Sequence, residues 1–429
     1  MKILIVHYRY FISGGPERYL FNVKTSLEKR GHTVIPFSIK NRNNISNEYS
    51  EFFTDNIGNS DVVFVDEYPK TLKTYVDLLS REFYSFKVRK DIVKLIRVIQ
   101  PDICYLLVYK RALSPSVVDA CKKYGIPVVN RISDYNPVCG AASLYREGKY
   151  CEECLTSDLG CLKYFCVKSS RIFSLARFLS IKLHKILKIQ KKISAYVCTN
   201  GFMADMMEQY GYDKTQIVTI PTFFGETPEL LVKKKPNIVR DYVKFLFIGN
   251  IDESKGIYDL LHAVISLKTE VSNFHLTIVG GLHVSENEKV NKIVEDSGLK
   301  NLITLVPYTS GNGIFDYYIE TNVTVIPARW VENLPNTLIE SLFFQRPVVV
   351  PDYGSFRFTV DETVAFKYKA LSASSLKDTL LSLCENPNLI AQKSYACEKY
   401  YHDHFSEEQH MNALLALFTV ILEKCHENN

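Results

Sequence analysis

Two glutamates, Glu332 and Glu340, stand eight positions apart in Trp330-Val331-Glu332-Asn333-Leu334-Pro335-Asn336-Thr337-Leu338-Ile339-Glu340. The apolar run Val323-Thr324-Val325-Ile326 predicts a strand before them, and a helix is predicted over 335–344. Pro335 suits the first helical turn, because it lacks the N–H that would be unpaired there. The amides of Asn333, Leu334, Asn336 and Thr337 would then face the loop with the positive end of the helix dipole behind them. Such a helix end attracts a diphosphate. Glu332 would project from the loop, and Glu340 from about a turn and a half inside the helix. Carboxylates at those two depths could accept hydrogen bonds from hydroxyls on separate parts of one ligand. A surface Glu and an unrelated helix-face Glu give the same spacing, so the pair needs its context.

Two more loops in this half end strands where a ligand should bind. Gly249-Asn250-Ile251-Asp252-Glu253-Ser254-Lys255-Gly256 follows a strand over 245–248 and precedes a helix over 257–267. Its lysine could neutralise a diphosphate, and its glycines permit close backbone approach. Gly280-Gly281 closes the next strand, at 275–279. Each loop alone is an ordinary turn; three in order within one half are a much stronger signal.

The elements that must position these loops alternate throughout the chain. In the first half a strand over 3–6 leads through Ser13-Gly14-Gly15-Pro16 into a helix over 17–30. Strands at 33–38, 62–65, 103–108, 127–132 and 195–199 follow, with helices near 88–99, 115–124 and 202–210. The pattern restarts after 221–244, which holds Lys233-Lys234-Lys235 and little periodicity. The second half alternates strands at 245–248, 275–279, 303–306, 323–327 and 347–350 with helices at 257–267, 288–297, 314–320 and 335–344. The expected fold class is α/β, with two doubly wound Rossmann-like domains facing a central cleft. The expected boundaries are 1–220, a linker at 221–244, a second domain at 245–400, and a C-terminal helix at 401–429 returning to the first domain.

With 429 residues, two domains are the default, and 46% hydrophobic with 23% charged residues is a globular composition. No window approaches the roughly 18 apolar residues of a membrane span. Polar residues His7 to Arg9 interrupt the apolar start, which therefore reads as a buried strand rather than a signal peptide. Eleven cysteines, several inside apolar runs, fit a reducing, cytoplasmic setting. Nothing in the chain points to a nucleic acid partner.

The net charge of +5 is unevenly spread. Residues 159–204 contain no Asp or Glu, while 163–192 contain nine Lys or Arg. Ile172, Leu175, Leu179, Leu183, Ile186, Ile189 and Ile193 recur there at helical spacing, predicting a basic amphipathic helix over 171–194. It suits either an anionic membrane surface or, as the favoured packing, its own domain, with the apolar stripe inward and a solvated basic face outward. Nearby, Cys151, Cys154, Cys161 and Cys166 lie in a cysteine-rich insertion over 139–166 whose spacing fits a structural zinc site. Reduced buried thiols are the alternative.

Taken in order, these motifs resemble retaining glycosyltransferases of family 4, which have the GT-B fold. The resemblance includes Gly14-Gly15-Pro16-Glu17-Arg18, Ser114-Pro115-Ser116, Gly125-Ile126-Pro127, Asp134-Tyr135, Ile217-Val218-Thr219-Ile220-Pro221, Lys255-Gly256, Glu332 to Glu340, and Arg346-Pro347 with Gly354. It implies transfer of a sugar from a nucleotide donor, a UDP- or GDP-sugar, to a hydroxyl with retention and without a metal cofactor. Lys255 and Glu332 would be catalytic, Lys255 on the diphosphate and Glu332 on the donor sugar. Glu340 would hold the ribose, with Gly14, Gly15, Gly249, Asn250, Gly280, Asn333 and Leu334 lining the donor site. Backbone groups near 306–310 would meet the base. Ser133, Asp134 and Tyr135 would lie on the acceptor side, toward a glycan or lipid-linked acceptor of surface polysaccharide or glycoconjugate synthesis. The donor phosphate itself would serve as base.

Three positions depart from that pattern. Asn250 stands where the family usually has an Arg, Ser133 where it often has a His, and Tyr105-Leu106-Leu107 where a strand end usually carries His. Arg329 and Arg357 could replace the missing cation. A catalytically weak GT-B binding or scaffold subunit is the alternative these departures motivate; a GT-B sugar-nucleotide epimerase is disfavoured by the family 4 motifs.

Overall fold

The computed structural model describes residues 1–62, 67–110, 112–281, 284–307, 309 and 311–427. Most of the expected strand at 62–65 and two positions of the 306–310 stretch lie outside them. The chain divides into two compact units: Met1–Leu144 with Glu152–Ile220 and His410–Asn429, and Tyr145–Cys151 with Pro221–Gln409.

Among the described residues the first unit is built on a sheet of six parallel strands. In chain order these are β1 (Lys2–His7), β2 (Thr33–Phe37), β3 (Ile103–Val108), β4 (Val128–Ile132), β7 (Ala195–Cys198) and β8 (Ile217–Thr219). They lie side by side as β2-β1-β3-β4-β7-β8. Ile3 to Val6 of β1 are all buried, as befits a central strand covered on both faces. The helices Gly15–Lys29, Phe86–Ile99 and Ser116–Lys123 alternate with these strands and bury apolar stripes such as Val88, Ile92, Leu95 and Ile99.

The hairpin of β5 (Tyr145–Arg146) and β6 (Lys149–Tyr150) counts with the second unit. That unit carries its own six parallel strands: β9 (Val243–Ile248), β10 (Phe274–Val279), β11 (Ile303–Val306), β12 (Val323–Val325), β13 (Val348–Pro351) and β14 (Ala365–Tyr368). Their order is β11-β10-β9-β12-β13-β14. Chain direction across the sheet reverses at β9, between its neighbours β10 and β12. In open sheets of this kind the crevice at the carboxyl ends beside that switch point is where ligands bind.

Four expectations need correction. Pro335 precedes the Asn336–Phe343 helix rather than opening it, because its ψ of 133° is extended. The stretch 221–244, expected to show little periodicity, holds the Pro228–Lys233 helix, and β9 begins inside it at Val243. The basic helix ends at Ile186, well short of 194. Its orientation is the reverse of the one favoured from sequence, since it buries Ser174, Arg177 and Ser180 and exposes Ile172, Leu175, Leu179 and Ile186. The buried residues find polar partners: Arg177 and Ser180 donate to Glu82 Oε1 at 3.0 and 2.6 Å.

Candidate functional site

In the second unit the loops leaving the adjacent strands β9 and β12 meet through side chains. Lys255 Nζ donates to Glu332 Oε1 at 2.6 Å and lies 4.6 Å from the centre of the Trp330 ring. Glu332 is buried, so its carboxylate is held in a protein environment where a paired cation matters far more than in water. The sequence explains how the lysine arrives there. Asp252 caps a single turn, Glu253–Lys255, by accepting from the Lys255 amide at 3.1 Å. Gly256 then turns the chain at φ 75° into the Ile257–Leu267 helix. A side chain at that glycine would place Cβ 1.8 Å from the Pro327 carbonyl oxygen, so only glycine lets the β9 loop lie against the chain leaving β12.

The other expected donor residues take up distinct places around this pair. Gly280, at φ 150°, crosses so close to Gly249 that a Cβ would lie 1.8 Å from the Gly249 carbonyl oxygen. Asn250 is exposed beside them. Asn333 and Leu334 are half-buried in the loop that enters the Asn336–Phe343 helix. Glu340 is buried on that helix, and Tyr318 donates its hydroxyl to Glu340 Oε2 at 2.8 Å. Tyr318→Phe is therefore expected to lower stability by about 1–3 kcal/mol, since it withdraws a hydrogen bond from a buried carboxylate. Thermal unfolding of the variant against the parent chain measures this; an unchanged midpoint would contradict it.

Both arginines offered as substitute cations are engaged with acidic side chains. Arg329 pairs with Glu253 at 2.6 Å and with Asp259 at 3.0 Å. Arg357 is engaged with Asp352 at 3.0 Å on the far side of β13 in sequence. The β5–β6 hairpin lies near the first of these: a Cβ on Gly148 would be 3.6 Å from Glu253 Oε1 and 3.9 Å from Arg329 Nη1. This proximity was not legible from sequence, because the hairpin belongs to the cysteine-rich insertion.

In the first unit the expected residues fall at the ends of β1 and β4. Gly14 precedes the Gly15–Lys29 helix in extended conformation, and Arg18 N donates to its carbonyl at 3.1 Å. Ser133 accepts from Arg131 Nη1 at 2.7 Å, and Asp134 accepts from the Asn136 amide at 2.8 Å. Ser133 and Asp134 line a cavity with Asn130, Arg131 and Asn136. Tyr135 is buried, edge-on to Phe202, and takes no part in that lining.

Sequence reasoning missed a cluster of buried polar residues in this unit. His7, Glu17 and Arg131 are all buried. Glu17 Oε1 lies 3.8 Å from Arg9 Nη1 and 3.9 Å from His7 Nε2, and the Arg131 guanidinium stacks 3.8 Å over the Tyr19 ring. Tyr19 joins Tyr105 at 2.6 Å and His410 Nε2 at 2.9 Å, so Tyr105 is tied into the same network. The polar run after β1 and Glu17 within Gly14-Gly15-Pro16-Glu17-Arg18 were the available signals.

Burial pushes the His7 imidazole down from 6.5 to about 3, and the charges of Arg9 and Arg131 act in the same direction. A depressed folded-state value means that the unfolded chain binds the proton better, so this contribution to stability is present above pH 6.5 and lost as pH falls toward 3. Between pH 6.5 and 5 the parent chain should lose about 1.6 kcal/mol that a His7→Gln variant keeps, because the slope of roughly 1.4 kcal/mol per unit is reached only below the unfolded-state value. Denaturant unfolding at the two pH values tests this, and identical pH dependence of both chains would refute it.

The four cysteines offered for zinc do not form a site. Among the described residues no group of three or more His, Cys, Asp or Glu could hold a metal ion. Cys151 counts with the second unit, while Cys154, Cys161 and Cys166 count with the first. Cys154 instead hydrogen-bonds Cys139 and Cys161. The bond from Cys154 draws the Cys161 thiol down against its burial, with help from Arg177.

Residues 230–400, which carry both Lys255 and Glu332, match the family model described as "Glycosyl transferases group 1". A 124-residue stretch is 29% identical to an uncharacterized glycosyltransferase from Methanocaldococcus jannaschii. That match spans 29% of this chain and 29% of the relative's length. Over 98% of both chains the structure resembles a glycosyltransferase from Rickettsia africae, with TM-score 0.65 and 18% identity. This chain has the GT-B fold. The same fold is seen in Anabaena HepE in complex with UDP, with TM-score 0.63 and 12% identity over 98% of this chain and 100% of that one. In GT-B terms, the Lys255–Glu332 pair stands at the switch point of the second Rossmann-like unit.

Proposed function

We propose that the chain is a retaining, metal-independent glycosyltransferase of family 4, using a UDP- or GDP-sugar as donor. The observation that carries this reading is the 2.6 Å pair of Lys255 with buried Glu332, on the loops of adjacent strands β9 and β12. The group 1 match over the same residues supports it, as does UDP in the complex of the similarly folded HepE. The acceptor is a hydroxyl of a glycan or a lipid-linked glycan in surface polysaccharide or glycoconjugate synthesis. A cytoplasmic location at the inner face of a membrane suits such an acceptor.

The chemistry follows from where charge develops. As the bond from the anomeric carbon to the phosphate oxygen breaks, its electron pair stays on the departing diphosphate. Lys255 and the amides leading into the Asn336–Phe343 helix stabilise that charge at the moment it forms. The acceptor oxygen bonds to the anomeric carbon on the same face, and its proton passes to the departing phosphate oxygen. The products are a glycoside of unchanged anomeric configuration and a nucleoside diphosphate. Glu332 holds the lysine and takes a hydroxyl of the donor sugar, while Glu340 takes the ribose. Incubation with a panel of UDP- and GDP-sugars in chelator should release nucleoside diphosphate from one donor and yield a product with the donor's anomeric configuration by NMR. Inversion, or turnover that requires an added divalent ion, would overturn the corresponding part of the reading.

A further inference from the structure

Two helices of the first unit are packed inside out. On Leu72–Phe83 the inward positions are Thr74 and Arg81, whereas Leu72, Tyr75, Val76 and Leu79 are exposed, Leu72 to 82%. On Arg171–Ile186 the inward positions are Ser174, Arg177 and Ser180, whereas Ile172, Leu175, Leu179 and Ile186 are exposed, Ile172 to 78%. Both outward sets recur at steps of three, four or seven residues, so each forms one apolar stripe opposite the buried face. The helices touch each other through their polar sides: Glu82 accepts from Arg177 and Ser180, and His184 Nε2 lies 2.8 Å from the Phe83 carbonyl. A helix that faces its own core does the reverse. Apolar surface of this extent on a folded unit marks a place where something other than water belongs.

Charge selects the occupant. The Arg171–Ile186 helix has no acidic residue, and Arg171, Lys182, Lys185 and the following Lys188 are exposed. Asp158 accepts from Lys182 and Lys185 at 2.8 Å. The Leu72–Phe83 helix has two acids, both directed inward: Asp77 accepts from the Gly58 amide and Glu82 from Arg177. Lys73 is exposed beside its stripe. Apolar stripes bordered by cations, with Asp158 beside two of them and the helices' own acids directed inward, match an anionic bilayer, whose acyl region takes the stripe and whose headgroups take the exposed cations. We propose that the Leu72–Phe83 and Arg171–Ile186 helices together form an interfacial membrane-docking surface for anionic lipid. This deepens the acceptor side of the proposed transfer and rests on it for its purpose, while its test stands apart from donor binding.

Cosedimentation of the full chain with phosphatidylcholine vesicles, with and without phosphatidylglycerol, tests the surface. The parent chain should pellet with the anionic vesicles, more weakly as salt rises, and much less with neutral ones. A Val76→Gln/Leu79→Gln/Leu175→Gln/Leu179→Gln variant changes only exposed side chains and should lose at least about tenfold in vesicle affinity. Its thermal stabilisation by a nucleotide sugar should equal that of the parent. No binding of the parent chain to anionic vesicles, or equal binding by the variant, would overturn the proposal. So would a dimer in sedimentation velocity that the variant abolishes, because a second copy would then cover the stripes. Vesicle binding without any donor stabilisation would sink the transferase reading and leave this one standing.

Discussion

Lys255→Ala is expected to lower kcat/KM for sugar transfer by about 10²–10³-fold, the cost of removing one preorganised group that meets transition-state charge. Two effects combine. The departing diphosphate loses the cation placed for it, and buried Glu332 loses its 2.6 Å cation partner beside the donor site. Asn250 makes this loss harder to absorb, because the same loop has no second cation and Arg329 is occupied by Glu253 and Asp259. Lys255→Arg should not rescue the activity: a planar guanidinium cannot replace a compact ammonium between Glu332 and the Trp330 ring. Steady-state release of nucleoside diphosphate measures the effect. A Lys255→Ala enzyme as fast as its parent would remove this residue from the chemistry.

Gly256→Ala should be among the most damaging single-atom additions to the second unit, costing about 2–5 kcal/mol from left-handed backbone strain and overpacking together. The new Cβ would sit 1.8 Å from the Pro327 oxygen, a backbone atom that cannot rotate away. Relief requires the β9 and β12 loops to separate, which would pull Lys255 from Glu332. Activity should therefore fall with stability, although Gly256 supplies no side chain to a ligand. Gly31→Ala is the control. Its φ of 80° is equally left-handed, but nothing lies within 4 Å of its added Cβ, so only the backbone penalty of about 1 kcal/mol remains. Limited proteolysis and thermal unfolding of the two variants side by side would show the difference. Equal destabilisation would mean that the close approach at Pro327 is not what fixes the loops.

The alternating α/β architecture was legible because buried parallel strands leave continuous apolar runs, as Ile3 to Val6 and Ile103 to Val108 do. Strand β11 and the Ile257–Leu267 helix match the sequence expectation residue for residue. Lys255 and Glu332 were legible as loop residues, but their direct pairing was not, since it depends on the order of β9 and β12 in the sheet. The basic helix was misjudged for a physical reason. Periodicity reports which residues share a face, and the rule that the apolar face turns inward fails where Arg177 and Ser180 answer Glu82. The Leu72–Phe83 helix was missed, although Leu72, Tyr75, Val76 and Leu79 recur at helical spacing. Cysteine spacing misled because Cys151 departs with the β5–β6 hairpin, and it is Cys139 that hydrogen-bonds Cys154. Buried His7 and Arg131 left no periodic trace at all.

The central claim is that Lys255 and Glu332 hold the diphosphate and sugar of one donor. It is tested most directly by thermal-shift titration of UDP- and GDP-sugars against the parent chain and the Lys255→Ala variant. One nucleotide sugar should stabilise the parent, by about 2.7 kcal/mol at a concentration near 100 times Kd, and should stabilise the variant far less. No stabilisation of the parent by any of them, or equal stabilisation of both proteins, would contradict the account.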